Sequence, residues 1–103
     1  MKRVILLGSL ILALLSAPVV NAAVIYAGQE TAAAVCSQCH GIIKPSADSI
    51  FPSLAGRDVV YLKLALVQYR DKTRQSELMN AIAGSLSDND IANVAAYYAT
   101  LKP

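Results

Sequence analysis

Cys36-Ser37-Gln38-Cys39-His40 is the stretch on which this chain turns. It reads Cys-x-x-Cys-His, the spacing that attaches haem covalently. The two thiols add across the two vinyl groups of one haem, and the adjoining histidine offers its ring nitrogen to the iron. The 103 residues contain two cysteines and one histidine, and all three fall in this pentapeptide. Competing chemistries lack parts. A structural zinc site takes four ligands, usually Cys and His, and no second cluster is present. A thioredoxin-like pair belongs beside a βαβ pattern, but no segment alternates convincingly like a strand. A disulfide between Cys36 and Cys39 would close a very small loop and stabilise little.

The first residues have the pattern of an export signal. Lys2 and Arg3 precede an apolar run from Val4 to Leu15, followed by Pro18. A small-x-small site stands at Val20-Asn21-Ala22 or Asn21-Ala22-Ala23. Residues 1–22 are therefore expected to be a secretory signal peptide, cleaved near Ala22 or Ala23, which places the protein in the periplasm. The competing interpretation is a retained anchor. Val4 to Val20 is marginal for that role, since a span needs roughly 20 apolar residues. Membrane association is expected only if the leader stays.

Charge follows the leader. Nine Lys/Arg against seven Asp/Glu give +2, and loss of Lys2 and Arg3 leaves seven against seven. A near-neutral chain has no electrostatic footprint for nucleic acid or for an anionic membrane. Residues 23–103 are expected to form one domain, at a size where an apolar core alone is marginal. A haem would give its short helices a large apolar plate to pack against.

The pattern is all-α, with three or four short helices. Ala27 to Val35 is alanine-rich and reads as a helix running into the cysteines. Gly41 to Gly56 holds Pro45, Pro52 and three serines, and reads as a loop. Asp58 to about Asp71 reads as a helix with Val59, Leu62, Leu66 and Tyr69 on one stripe and Asp58 at its N-terminus. Lys72 to Ser85 opens polar and reads as a loop region carrying Met79 and Gly84. Ser87-Asp88-Asn89-Asp90 is a variant capping box. After it, Ile91, Val94, Ala95, Tyr98 and Leu101 share one helical face.

The iron's second ligand is approached by elimination. Without the leader Met79 is the only methionine, and no second histidine exists. A thioether suits low-spin iron, and His/Met ligation raises the reduction potential. Methionine is more commonly core filler, and Lys63 or Lys72 are competing ligands. Basic residues gather at Arg57, Lys63, Arg70, Lys72 and Arg74. Lys63, Arg70 and Arg74 would share a stripe if the helix reached that far, either as a docking face or as an ordinary solvated one.

These residues together resemble a small bacterial class I cytochrome c, nearest to a single domain of the cytochrome c-four type. The resemblance covers about residues 27–102. Beyond the haem motif it includes Phe51-Pro52-Ser53-Leu54-Ala55-Gly56, Tyr61-Leu62, Tyr69, Thr73-Arg74, Leu86-Ser87-Asp88-Asn89-Asp90-Ile91 and Ala95-Ala96-Tyr97-Tyr98. It implies three to four helices wrapped around one covalent haem c, with Cys36 and Cys39 as thioethers and His40 and Met79 as axial ligands. It implies that the Pro52 carbonyl orients the His40 ring, that Leu54 packs on the haem, and that Gly28 lets Tyr97 approach closely. Two positions depart from the pattern: Ala65 stands where glutamine is frequent, and Lys72 where glycine is frequent.

The function implied is a one-electron carrier rather than an enzyme. Its partners would be redox proteins, such as a donor complex and a terminal oxidase. The alternative is the haem subunit of a larger oxidoreductase, such as a flavocytochrome c sulfide dehydrogenase, seated on a flavoprotein. That class shares the spacing of Thr73, Arg74 and Met79. A third, weaker expectation is a ligand-sensing haem with a labile Met79.

Overall fold

The computed structural model describes residues 19–103, with side chains from Ala22 onward. Residues 1–18, most of the expected leader, lie outside the described residues. Helix α1 runs Val19–Thr31 and continues through a π turn, Ala32–Cys36, into a last helical turn, Ser37–His40. Helix α2 is Val59–Asp71, α3 is Glu77–Gly84 and α4 is Asp88–Thr100. The architecture among the described residues is all-helical, as the patterning implies.

Two of the expected boundaries change. The first helix is longer at both ends than Ala27 to Val35, starting at Val19 and running on to His40 because the haem motif is itself helical. Ser37 Oγ and Gln38 Nε2 donate to the Ala33 and Ala34 carbonyls, at 3.0 and 3.2 Å, and carry the helix across the wide turn. Wide turns of this kind concentrate at functional sites. The second change is α3, which replaces the loop expected around Met79. Its start is set by Ser76, whose Oγ accepts from the Met79 backbone N–H at 3.2 Å.

The other helix starts are as the sequence implies. Asp58 caps α2 by accepting from the Tyr61 N–H at 2.9 Å. Ser87 and Asp90 form a reciprocal capping box on α4, both bonds at 3.0 Å. Helix α2 ends at Asp71, so Arg74 is not on a stripe with Lys63 and Arg70. Arg70 instead pairs with Asp88 at 2.7 Å and donates to the Leu86 carbonyl. Val59, expected on the inner stripe, is exposed, and Ala65 is buried in its place.

The core lies where α1, α2 and α4 meet. Ala32, Leu62, Val94, Ala95, Tyr97 and Tyr98 form one buried cluster. The crossing of α1 over α4 depends on Gly28. A methyl group there would collide with the Asn93 carbonyl and stand 2.8 Å from Tyr97 Cβ. Glycine thus lets the two backbones touch, as the resemblance implies, although the nearest neighbour is Asn93 rather than Tyr97.

Candidate functional site

One cavity of about 270 Å³ gathers Cys36, Cys39, His40, Pro52, Leu54 and Met79 on its wall. These are the six residues that the resemblance assigns to the haem. They come from three places. The end of α1 and its last turn carry the cysteines and histidine, the 41–58 loop carries Pro52 and Leu54, and α3 carries Met79. Leu62, Ala65, Leu66, Val94 and Ala95 complete an apolar interior.

The histidine is held in one orientation. His40 is 8% exposed, and its Nδ1 lies 2.7 Å from the Pro52 carbonyl oxygen. A carbonyl only accepts, so Nδ1 donates and carries the proton. In the neutral ring Nε2 then keeps its lone pair free for a metal. The Phe51 ring lies beside the imidazole, 6.0 Å between centres. After His40 the chain reverses at Gly41, with φ 66°, where a side chain would run into the Lys44 carbonyl. Tyr98 Oη donates to the Gly41 carbonyl at 2.8 Å, fastening this turn to α4. Burial, with smaller contributions from Cys36 and Tyr97, pushes the Tyr98 phenol up, so it remains a donor.

The two cysteines are not joined to each other. Burial pushes the Cys36 thiol up to about 11, so as a free thiol it is protonated at neutral pH. A buried, protonated thiol is a poor metal ligand. Among the described residues no group of three or more His, Cys, Asp or Glu is arranged to hold a metal ion.

Met79 stands in the first turn of α3, beside Leu78, and both line the same cavity. The residue that places it is Asn80. Asn80 Nδ2 donates to the Tyr69 carbonyl at 2.7 Å and to the Arg74 carbonyl at 2.9 Å, while its Oδ1 accepts from the Ser76 N–H at 3.1 Å. One side chain thus ties α3 to the end of α2 and to the connection between them. Asn80 carries no signal in the sequence, because two of its three partners are 11 and 6 positions away.

An imidazole with a free Nε2, a thioether and two thiols on apolar walls form the donor set that a haem requires. Comparison with known proteins agrees. Residues 23–97 match the family model described as "Cytochrome C oxidase, cbb3-type, subunit III". The chain belongs to the c-type cytochromes.

This cytochrome domain is 38% identical to cytochrome c-554(548) of Halomonas halodenitrificans, covering 72% of this chain and 93% of that one. It is 38% identical to cytochrome c4 of Pseudomonas aeruginosa over 94% of this chain and 48% of the relative. It is 36% identical to the thiosulfate dehydrogenase electron acceptor of Stutzerimonas stutzeri, over 64% of this chain and 32% of the relative. The cytochrome therefore spans about half or less of the length of the last two, and nearly all of the first. Membership implies haem c binding and electron transfer. No described helix is long and apolar enough to cross a membrane.

Proposed function

We propose that this chain is a periplasmic mono-haem cytochrome c that carries single electrons between redox proteins. Cys36 and Cys39 would hold the haem as thioethers, His40 and Met79 would ligate its iron, and Pro52 and Leu54 would orient and pack the site. The observation that carries this is the convergence of His40, with Nδ1 committed to Pro52, and Met79 on one cavity that also holds both thiols. Bound there, the haem iron supplies a reversible one-electron couple. The protein's part is to keep His40 in one tautomer, present the Met79 thioether, and keep water from the apolar interior. With His40 and Met79 both given to the iron, no position would be left for a substrate, which suits a carrier. The mature domain is residues 23–103. The charged and apolar segments before Ala22, and a family match that starts at residue 23, support export and removal of the leader.

A second role is favoured by a separate observation. Val60 and Leu64, one turn apart on α2, are 67% and 53% exposed. Exposed apolar residues on one helix suit a subunit seated on a larger oxidoreductase. A free carrier elutes alone after export in its native host, whereas a subunit co-purifies with a redox enzyme at fixed stoichiometry.

The haem reading is tested by spectroscopy of the exported, haem-matured protein, wild type against Met79→Ala. The expected wild-type spectrum is low-spin with a far-red thioether–iron band, and Met79→Ala loses that band. A wild type that is high-spin, or that binds carbon monoxide readily, would remove Met79 as a ligand and favour a sensing haem.

A further inference from the structure

We propose that Tyr98 is a positioning residue for His40: it pins both ends of the 41–56 loop, keeps the Pro52 carbonyl on His40 Nδ1, and so sets the reduction potential of the bound iron. This rests on the haem reading above. Among the described residues Pro52 is the hydrogen-bond partner of the His40 ring, at 2.7 Å, and it stands 12 positions along the chain. The segment between them has no helix of its own, so its backbone alone does not fix where that carbonyl lies. Ser53 Oγ closes the loop on itself through the Ile43 carbonyl at 2.9 Å. A contact inside the loop does not place the loop against His40.

Tyr98 supplies the missing attachment. Its Oη donates to the carbonyl of Gly41, the residue after His40, at 2.8 Å. Its own carbonyl accepts from the Gly56 N–H at 2.9 Å. One residue of α4 therefore holds the loop where it leaves His40 and again just beyond Pro52. Tyr98 is a fixed point of reference. It is 2% exposed, packs in the core cluster with Ala32, Leu62 and Val94, and meets the Tyr97 ring edge-on at 5.5 Å between centres. Its ring also lines the cavity, and burial holds its phenol protonated, so the donor does not vary with pH in the neutral range. The chemical consequence lies at His40. A hydrogen bond from Nδ1 strengthens electron donation through Nε2 and favours oxidised iron. A carbonyl that drifts from Nδ1 weakens that donation and favours reduced iron.

The test compares haem-matured wild type, Tyr98→Phe and Tyr97→Phe. It reads reduction potential and, by NMR of the reduced protein, exchange of the His40 Nδ1–H proton. Tyr98→Phe removes one oxygen from a core ring. It is expected to raise the equilibrium constant for reduction about 2- to 10-fold, the range of one hydrogen bond's net contribution. It should also speed Nδ1–H exchange while the thioether–iron band stays. Tyr97→Phe makes the same change one residue away, off the cavity wall, and should match wild type in both readouts. Three results overturn the proposal: Tyr98→Phe with unmoved potential and exchange, equal shifts in Tyr97→Phe, or a shift accompanied by loss of the thioether–iron band. The first would leave Tyr98 as core packing alone. If Tyr98→Phe fails to mature, wild type decides. The Gly56 N–H and His40 Nδ1–H protons are expected to open together with one dependence on urea, and separate openings overturn the proposal. A wild type that matures without covalent haem overturns both readings. A haem-loaded wild type with an unmoved Tyr98→Phe overturns this one alone.

Discussion

The histidine wall of the cavity is largely loop, and the methionine wall is a capped helix, yet the loop is the more firmly fixed. Residues 41–58 contain no α-helix, but a set of hydrogen bonds holds them, four of which bridge separate parts of the chain. His40 binds Pro52, Ser53 Oγ donates to the Ile43 carbonyl, Tyr98 Oη donates to Gly41, and the Gly56 N–H donates to the Tyr98 carbonyl. Two of these end on Tyr98, a core residue 2% exposed in α4. The histidine wall is therefore fastened to the crossing of α1 and α4. The methionine wall has good local structure but hangs on α2 through Asn80. Regular secondary structure and rigidity of position are thus separate properties. A side chain is held in place by what its element is fastened to.

The strongest way to break this contrast is to part α1 from α4. Gly28→Val places a branched side chain against the Asn93 carbonyl, and a helix backbone cannot give way locally. The expected loss is about 3 kcal/mol, read as a fall in urea midpoint of the haem-loaded protein. If the midpoint holds, the crossing is not the anchor of the histidine wall. Asn80→Ala tests the other side. It removes three hydrogen bonds at a partly buried site and should cost about 2 kcal/mol. Its signature differs: the thioether–iron band should weaken while haem stays attached. A variant that loses stability with an unaltered band would show that Met79 is placed by something other than Asn80. The smallest effect is a gain. Lys72 ends α2 in the left-handed region, with φ 65°. Lys72→Gly relieves that conformation and should stabilise by about 0.5–1 kcal/mol in the same assay. A lower midpoint would mean that the Lys72 side chain makes a contact outweighing backbone strain.

Much of the site was legible because its chemistry is local. The cysteines and histidine are contiguous, and the capping box of α4 spans four consecutive residues. Lys72 was visible as a departure from the family's glycine, and its positive φ supplies the reason for that glycine. Helix α3 was hidden because it is short and its neighbours are polar. Ser76 and the Leu78, Met79, Ile82 spacing were the available cues. Asn80 had no cue, since its significance lies in contacts between distant segments.

The sequence alone therefore determined the all-helical class, the haem motif, and the starts of α2 and α4. These depend on side chains acting on their own backbone within a turn or two. Only the tertiary structure decided that Met79 shares a cavity with His40, that Tyr98 fastens the turn after the motif, and that Arg57 and Arg74 line that cavity. Those facts depend on which surfaces meet when α1 crosses α4 and α3 folds back on α2. Close packing of glycine, tyrosine and asparagine fixes that outcome, and periodicity does not encode it.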